Sequence, residues 1–454
     1  MTDPAATGSD TLMSVLQPYM PVFYVSFLVT LILTPIMRIL AQQHGIVDDP
    51  DGKRKIHSQP IAYLGGVATF LGWLAGVSVS VMLRPHNAGT SMVSYVQVPP
   101  GIILGAAVVV FFGLMDDVYS LSPRIKLLGQ FLAACFLIIP GKLGMGRDFF
   151  FGDFKDPKGM VWMVLAPLTR LDYINIAAMS DTTRGYVSLG AMFATGALAI
   201  FIIISTCNAT NLLDGLDGLC SGVTGVMSAG YLILALYLAS VATGLPEAAG
   251  SAVDPTRITL SLALLGAVAG FLPFNFNPAS IFMGDTGSMF LGYICGTMIL
   301  LFGQDAILRW FLAAIVIFGL PLMDTLLAIV RRKLNGQPIF SPDSNHFHHF
   351  LIKHGFTVRR AVLLSYGLAA LFVSFALVIV IIPTRLALGL YLVLFAWLVV
   401  AAFKMGMIFQ QKATPTNAVL NAAVLNSGPA VVTTPGAVSG EGEPAQTPVA
   451  ASIK

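Results

Sequence analysis

The chain has 454 residues, of which 56% are hydrophobic and only 10% are charged, and its formal net charge is +3. Soluble domains carry about 25% charged residues, so this chain has too little polar surface to cover a globule in water. The small net charge excludes a strongly basic nucleic-acid-binding protein, and the composition predicts a membrane protein.

Eleven apolar segments are predicted to be helices, because a membrane-spanning helix needs about 20 apolar residues. The predicted fold class is therefore an all-α polytopic membrane protein. No A-x-A-like cleavage site follows the first segment, which predicts that it is not a cleavable signal peptide. The segments are 19–40, 61–83, 100–115, 124–140, 190–206, 219–241, 257–274, 288–304, 306–330, 361–382 and 385–408.

The distribution of Lys and Arg orients these segments. Most basic residues lie in or beside one set of connections, which the positive-inside rule places in the cytoplasm. The N-terminus is then predicted outside the inner (plasma) membrane and the C-terminus inside. The cytoplasmic connections are 41–60, 116–123, 207–218, 275–287 and 331–360.

The chain divides by composition into three parts. Residues 1–18 form a short exoplasmic N-terminus, and residues 19–408 form the transmembrane domain. That domain includes an exoplasmic insertion at 141–189 and a histidine-containing cytoplasmic loop at 331–360. The tail at 409–454 is rich in Ala, Pro, Thr and Val, and we expect it to be disordered.

An acidic pair ends the third segment, where GLMDD places Asp116 and Asp117. A helix C-terminus carries partial negative charge, so two carboxylates there need a cation or a proton to offset them. Charge near membrane depth is costly and usually functional. Two solvated turn aspartates are the alternative.

Four polar residues recur at every third position after the fifth segment: Asn208, Asn211, Asp214 and Asp217. Oxygen ligands next to glycines suit Mg²⁺ and a nucleotide. A helix cap followed by a turn would explain the glycines but not the spacing.

Asp285 lies between two glycines in GDTG, at the start of the next helix. We expect the N-terminal amides of that helix to face phosphate. Asp324 is a further acid on the same predicted face.

Three histidines occupy the longest predicted cytoplasmic loop: His346, His348 and His349. A zinc site is one alternative, but no cysteine or second histidine cluster accompanies them. A solvated loop is another. Hydrogen bonds to a diphosphate suit His beside Arg better. The basic loop at 49–66 is either a positive-inside flank or a cap over an anionic nucleotide.

Taken in order, five motifs resemble those of the polyprenyl-phosphate N-acetylhexosamine-1-phosphate transferases. The motifs are RKIHSQPIAYLGG, GLMDD, NATNLLDGLDGL, NPASIFMGDTGS and HFHH, and the match spans about residues 20–380. The HFHH form resembles the GlcNAc-1-phosphate branch more than the phospho-MurNAc-pentapeptide (MraY) branch. The resemblance implies a cytoplasm-facing cleft and transfer of an N-acetylhexosamine-1-phosphate from a UDP-sugar to polyprenyl phosphate, with release of UMP.

The resemblance also implies residue roles. Asp285 and Asn211 would bind Mg²⁺, for which Mn²⁺ substitutes. The implied catalytic residues are Asp116, Asp117, Asp214, Asp217, His346, His348 and His349. The implied substrate-binding residues are Arg54, Lys55, His57, Asn208, Gly215, Leu216, Asn275 and Phe282.

The expected partners are the UDP-N-acetylhexosamine, the polyprenyl phosphate and membrane lipid, with no nucleic acid. A homodimer is left open. The alternative within the family is phospho-MurNAc-pentapeptide transfer. The alternative from another class is a proton-coupled transporter, whose acids usually lie near the middle of the membrane in repeated halves.

Overall fold

The computed structural model of the chain describes residues 13, 15–48, 60–82, 98–139, 181–242, 254–303, 308–338 and 346–404. These ranges contain thirteen α-helices and a two-stranded antiparallel sheet, β1 (Val47–Asp48) with β2 (Ile61–Ala62). The helices α1 to α13 are Met20–Gln43, Gly65–Ser80, Pro100–Tyr119, Pro123–Ile138, Asp181–Leu213, Leu219–Ala242, Asp254–Asn275, Gly284–Gly303, Leu308–Ile317, Gly319–Leu334, Phe347–Lys353, Val358–Ile381 and Thr384–Lys404.

The fold class predicted from the sequence is confirmed: the protein is an all-α polytopic membrane protein. Each predicted segment overlaps a helix or, for the ninth, a pair of helices. Within the described ranges, seven helices are long and apolar enough to cross a membrane, or eight if a bent pair counts as one span. The predicted number of eleven spans is therefore not confirmed.

Two predicted helices have different limits. The segment predicted at 190–206 extends in both directions as Asp181–Leu213, so the end of the supposed insertion and the start of the polar motif are helical. The segment predicted at 306–330 is broken by a 76° bend between Ile317 and Gly319. Pro321 explains the break, because its ring would clash with the carbonyl group of Ile317 in a continuous helix.

Helix α8 lies at the centre of the bundle, and its whole apolar window is buried. Glycines let three neighbours approach it closely, as is common between membrane helices. A methyl group at Gly66 of α2 would collide with the backbone nitrogen of Gly287, and one at Gly113 of α3 with Thr286. One at Gly292 would meet the backbone of α5. These contacts fix the N-terminus of α8 between three helices.

The short sheet also positions the start of α8. Phe282 N donates to Ala62 O of β2 over 2.8 Å, and Gly65 N of α2 donates to Phe282 O over 3.0 Å. Ala62 and Ile281 form a parallel bridge. The segment that leads into α8 is therefore held by backbone hydrogen bonds to the chain that leads into α2.

Some predictions fall on residues outside the described ranges. These are the basic-loop residues Arg54, Lys55 and His57, most of the insertion (residues 141–180), and the chain from residue 405 onward, which includes the predicted tail.

Candidate active site

A cavity of about 760 Å³ opens where the predicted motifs meet. Nine of the predicted site residues line it: Asn211, Asp214, Gly215, Leu216, Asp217, Asn275, Phe282, Asp285 and His349. The other wall comes from α1 and the short sheet and includes Arg38, Gln42, Asp48, Ile61 and Tyr63. The motifs that the sequence places far apart are thus brought to one end of the bundle.

Lys126 bridges two of the acids at this end. Its Nζ lies 2.6 Å from Asp116 Oδ2 and 2.5 Å from Asp285 Oδ2. Asp116 Oδ1 also accepts a hydrogen bond of 2.7 Å from Leu121 N. The side chain of Asp116 is only 10% exposed and is not part of the cavity wall, whereas Asp285 is. The expected offsetting cation is therefore present, and the protein supplies it.

Asp117 binds the N-terminus of α8. Its carboxylate accepts hydrogen bonds from Asp285 N (2.7 Å), Thr286 N (3.1 Å) and Thr286 Oγ1 (2.5 Å). Gly284 has a φ of +69°, and a side chain there would collide with this carboxylate. The expectation that the first amides of α8 face phosphate is wrong, because Asp117 takes those amides. Asp117 therefore acts on the site by fixing Asp285.

Asn211 lies on the last turn of α5, facing Asp285. Its Nδ2 donates to Asp285 Oδ1 over 2.8 Å and to Ser288 Oγ over 3.0 Å. Asn208 is directed elsewhere: its Nδ2 donates to Gln130 Oε1 and to Ile204 O, each over 2.7 Å. Asn208 does not line the cavity, and the substrate contact that the resemblance implies for it stays a prediction.

Asp214 follows the end of α5 and lines the cavity. Burial, with the neighbouring charges of Asp285, Asp117 and Asp217, raises the pKa of Asp214 to about 8. Carboxylates that face each other in a low-dielectric site favour a proton or a bound cation. At neutral pH Asp214 therefore holds a proton unless a bound cation replaces it.

Asp217 and Asn275 hold the loops that form the cavity wall. Asp217 Oδ2 accepts from Asn277 Nδ2 (2.9 Å) and from Ala279 N (3.0 Å). Asn275 is buried, and its Oδ1 accepts from Ser221 Oγ (2.8 Å). Its Nδ2 donates to Ile281 O over 3.1 Å. Both residues line the cavity, and these hydrogen bonds also stabilise the loops that form its wall.

His346 is tied to Asp324 at the start of α11. Its Nδ1 lies 2.9 Å from Asp324 Oδ2, and Phe347 N donates to Asp324 Oδ1 over 2.8 Å. Both side chains are almost completely buried. Asp324 thus caps α11 and positions His346, and neither residue lines the cavity.

His348 packs against Gly215, where a methyl group would collide with its ring. The ring is 2% exposed, and neither nitrogen has a hydrogen-bond partner within the described part of the chain. Burial and the neighbouring His349 and His346 lower the pKa of His348 to about 3. The rings of His348 and His349 are 4.3 Å apart, and only His349 reaches the cavity. His348 is therefore a neutral support between Gly215 and His349.

The donor atoms around Asp285 fit the Mg²⁺ ion that the family implies. Asp285 lines the cavity, and both donors of Asn211 are used in hydrogen bonds, which leaves its amide oxygen to accept. Hard oxygen ligands suit Mg²⁺, which usually completes its shell with water and substrate phosphates. In the described ranges no group of three or more His, Cys, Asp or Glu side chains forms a metal cage. The residues present therefore suit a metal ion that is bound partly by the protein and partly by the substrate.

The sequence interpretation missed two basic residues at this end of the bundle. Lys126 lies in the first turn of α4, where the helix dipole makes a positive charge unfavourable. This unfavourable position could have identified Lys126 as functional from the sequence. Arg38 lies inside an apolar helix and lines the cavity. An arginine within a membrane helix is itself a signal of function.

Comparisons with known proteins agree with the motif assignment. Residues 99–303 match the family described as glycosyl transferase family 4. The chain is 33% identical over 358 residues to the "Probable undecaprenyl-phosphate N-acetylglucosaminyl 1-phosphate transferase" of Bacillus subtilis, covering 79% of this chain and 84% of that protein. It is 33% identical to the decaprenyl-phosphate N-acetylglucosaminephosphotransferase of Mycolicibacterium smegmatis, covering 75% and 76%. It is 27% identical to the undecaprenyl-phosphate alpha-N-acetylglucosaminyl 1-phosphate transferase of Escherichia coli, covering 77% and 80%.

The Asp117→Asn variant is expected to lose both stability and activity. An amide offers one acceptor oxygen and no charge to the three donors of Asp285 and Thr286. Loss of such charge-assisted bonds costs about 1–3 kcal/mol. The measurement is the unfolding temperature in detergent together with the turnover rate. Asp116→Asn is the comparison, because it leaves the α8 amides capped. An unchanged unfolding temperature in Asp117→Asn would contradict the capping role.

Acidification is expected to destabilise the protein through His348. Its folded pKa of about 3 lies below the ordinary value of 6.5, so the unfolded chain binds the proton first. The contribution of His348 is complete above about pH 6.5 and falls by about 2 kcal/mol at about pH 5. The measurement compares the pH dependence of the unfolding temperature in the wild type and in His348→Gln.

His354 provides the control for this experiment, because it is an exposed histidine on the same segment. His354→Gln should keep the wild-type pH dependence, and His348→Gln should flatten it. Equal slopes in all three proteins would show that His348 does not carry the effect.

Proposed function

The chain belongs to glycosyl transferase family 4, and on this basis we propose that it transfers GlcNAc-1-phosphate from UDP-GlcNAc to polyprenyl phosphate. The names of the three relatives support the reaction class. The observation that carries the proposal is the cluster in which Asp285 and Asn211, on the cavity wall, contact each other and Asp285 shares Lys126 with Asp116.

The reaction joins two anions, so positive charge must be supplied where they meet. A phosphate oxygen of the acceptor attacks the β-phosphorus of the donor. The bond from that phosphorus to the bridging oxygen breaks, and UMP leaves with the oxygen. Positioning and electrostatic stabilisation do most of the work in phosphoryl transfer. Lys126, between Asp116 and Asp285, lowers the net negative charge next to the cavity.

Asp285 and Asn211 would hold Mg²⁺, which offsets charge on the donor diphosphate and on the leaving phosphate when bound. Asn211 orients Asp285 from one side, and Asp117 fixes its backbone from the other. Asp116 is held by Lys126 and Leu121 N, so its carboxylate keeps one orientation next to Asp285. Because a polyprenyl phosphate is already ionised at neutral pH, this orientation serves electrostatics and positioning.

The wall formed by Leu216, Asp217, Asn275 and Phe282 is the proposed site for the uridine. Asp217 and Asn275 maintain its shape through their bonds to the 277–281 segment. His349, supported by His348, lies on the side proposed for the sugar and its phosphate. The site would open to the cytoplasm, where nucleotide sugars are made, because Lys and Arg concentrate in the connections at this end.

Purified protein with undecaprenyl phosphate and UDP-GlcNAc is expected to release UMP and to form a lipid-linked sugar. Direct competition between UDP-GlcNAc and UDP-MurNAc-pentapeptide measures the choice of donor. The HFHH form and the named relatives predict preference for UDP-GlcNAc. Preference for the pentapeptide donor would overturn this choice. Uptake into vesicles without a covalent product would instead indicate a transporter.

Turnover is expected to require Mg²⁺, with Mn²⁺ as a substitute, because the ligand oxygens are hard. EDTA should abolish UMP release, and added Mg²⁺ should restore it. In Asp285→Asn the half-saturating Mg²⁺ concentration should rise by about 10- to 100-fold. Full activity in metal-free buffer would contradict this prediction, as would an unchanged Mg²⁺ dependence in the variant.

A further inference from the structure

Arg38 is placed in the cavity by the buried face of α1. Buried positions recur every four residues along that face, at Val22, Ser26, Thr30 and Thr34. The stripe is fixed by hydrogen bonds from Ser26 Oγ to Gly72 O (3.0 Å) and to Ala263 O (2.6 Å). Residues four apart share a helix face. Arg38 is therefore the next member of an inward-facing row, at the point where that row reaches the cavity.

The cavity wall has an uneven distribution of charge. The described residues that line it include four aspartates. Among them, Arg38 is the single arginine or lysine. The Nε of Arg38 is buried and has no hydrogen-bond partner in the part of the chain that the structure describes. An unpaired buried donor is costly, and more so for a charged group. The described part of the protein thus provides no partner for the Nε of Arg38.

Anchoring at the membrane surface would be the ordinary role of such an arginine, with its head group extended to water or lipid. The geometry does not support that role. The exposed apolar stripe of α1 runs through Ile32, Ile36 and Leu40, and Arg38 lies off that stripe. Its Nε is enclosed, and the side chain contributes to the cavity wall.

From this geometry we propose that Arg38 is a substrate-binding residue that pairs with a phosphate group in the cavity. The planar guanidinium matches phosphate oxygens with two parallel donors, which gives both charge and orientation. The inference rests on the proposed function, since that reaction brings two kinds of phosphate to the cavity. These are the diphosphate of the nucleotide sugar and the monophosphate of the lipid acceptor.

The test is steady-state kinetics of UMP release by wild type, Arg38→Gln and Arg38→Lys, varying UDP-GlcNAc and undecaprenyl phosphate in turn. Arg38→Gln should raise KM for one substrate by about 10- to 100-fold. A change in KM for UDP-GlcNAc assigns the contact to the diphosphate, and a change for the lipid assigns it to the acceptor phosphate. Arg38→Lys, which keeps the charge but loses the fork, should be intermediate.

Arg360→Gln is the matched control, because Arg360 is an exposed cation at a helix end that does not line the cavity. It should keep both KM values. Binding without turnover gives an independent readout: each substrate alone should raise the unfolding temperature of the wild type, and Arg38→Gln should lose that rise for the substrate it contacts. The ligand-free unfolding temperature of Arg38→Gln shows that it folds.

Two failures are distinguishable. An active wild type whose KM values stay within about twofold in Arg38→Gln overturns the inference and leaves the proposed function standing. A wild type that releases no UMP overturns the proposed function, and this inference with it.

Discussion

The hydrogen bonds from the N-terminus of α8 to Asp117 are the interaction on which the rest of the site depends. The first amides of a helix have no partner within it, so those of α8 need one from another part of the chain. The Asp117 carboxylate from α3 meets this need. Because Asp285 is the second residue of α8, the bond that satisfies its backbone also fixes the direction of its side chain. Stability and the placement of the predicted metal ligand thus have one cause.

The charge balance of the site follows from that arrangement. Asp117 is compensated by helix amides, Asp116 by Lys126, and Asp217 by the amides of Asn277 and Ala279. Asp285 shares Lys126 and also receives Asn211. Asp214 faces the cavity, and burial raises its pKa to about 8. The protein therefore provides partners for these four acids and leaves Asp214, on the cavity wall, to be neutralised by a proton or a bound cation.

Hydropathy and motif order were sufficient for the fold class and for the convergence of the motifs, because both depend on where apolar segments end. The side-chain contacts between helices could not be predicted from hydropathy or motif order. The sequence shows Asp116 and Asp117 as an equivalent pair, but Asp117 faces α8 while Asp116 faces Lys126. The three-residue spacing suggested one ligand set, yet Asn208 is directed toward Gln130. His346, His348 and His349 look alike in sequence, and only burial and the contact with Gly215 separate their roles.

The glycine contacts around α8 determine where this site can change over evolution. A single methyl group at Gly66 or Gly113 meets the backbone of α8, which cannot move aside as a side chain can. Substitutions at these glycines would require compensating changes in a second helix, so single substitutions there should not be tolerated. The opposite wall, with Gln42, Ile61 and Tyr63, presents side chains to open space. Changes in the shape of the cavity should therefore arise by substitution on that wall rather than at the glycines around α8.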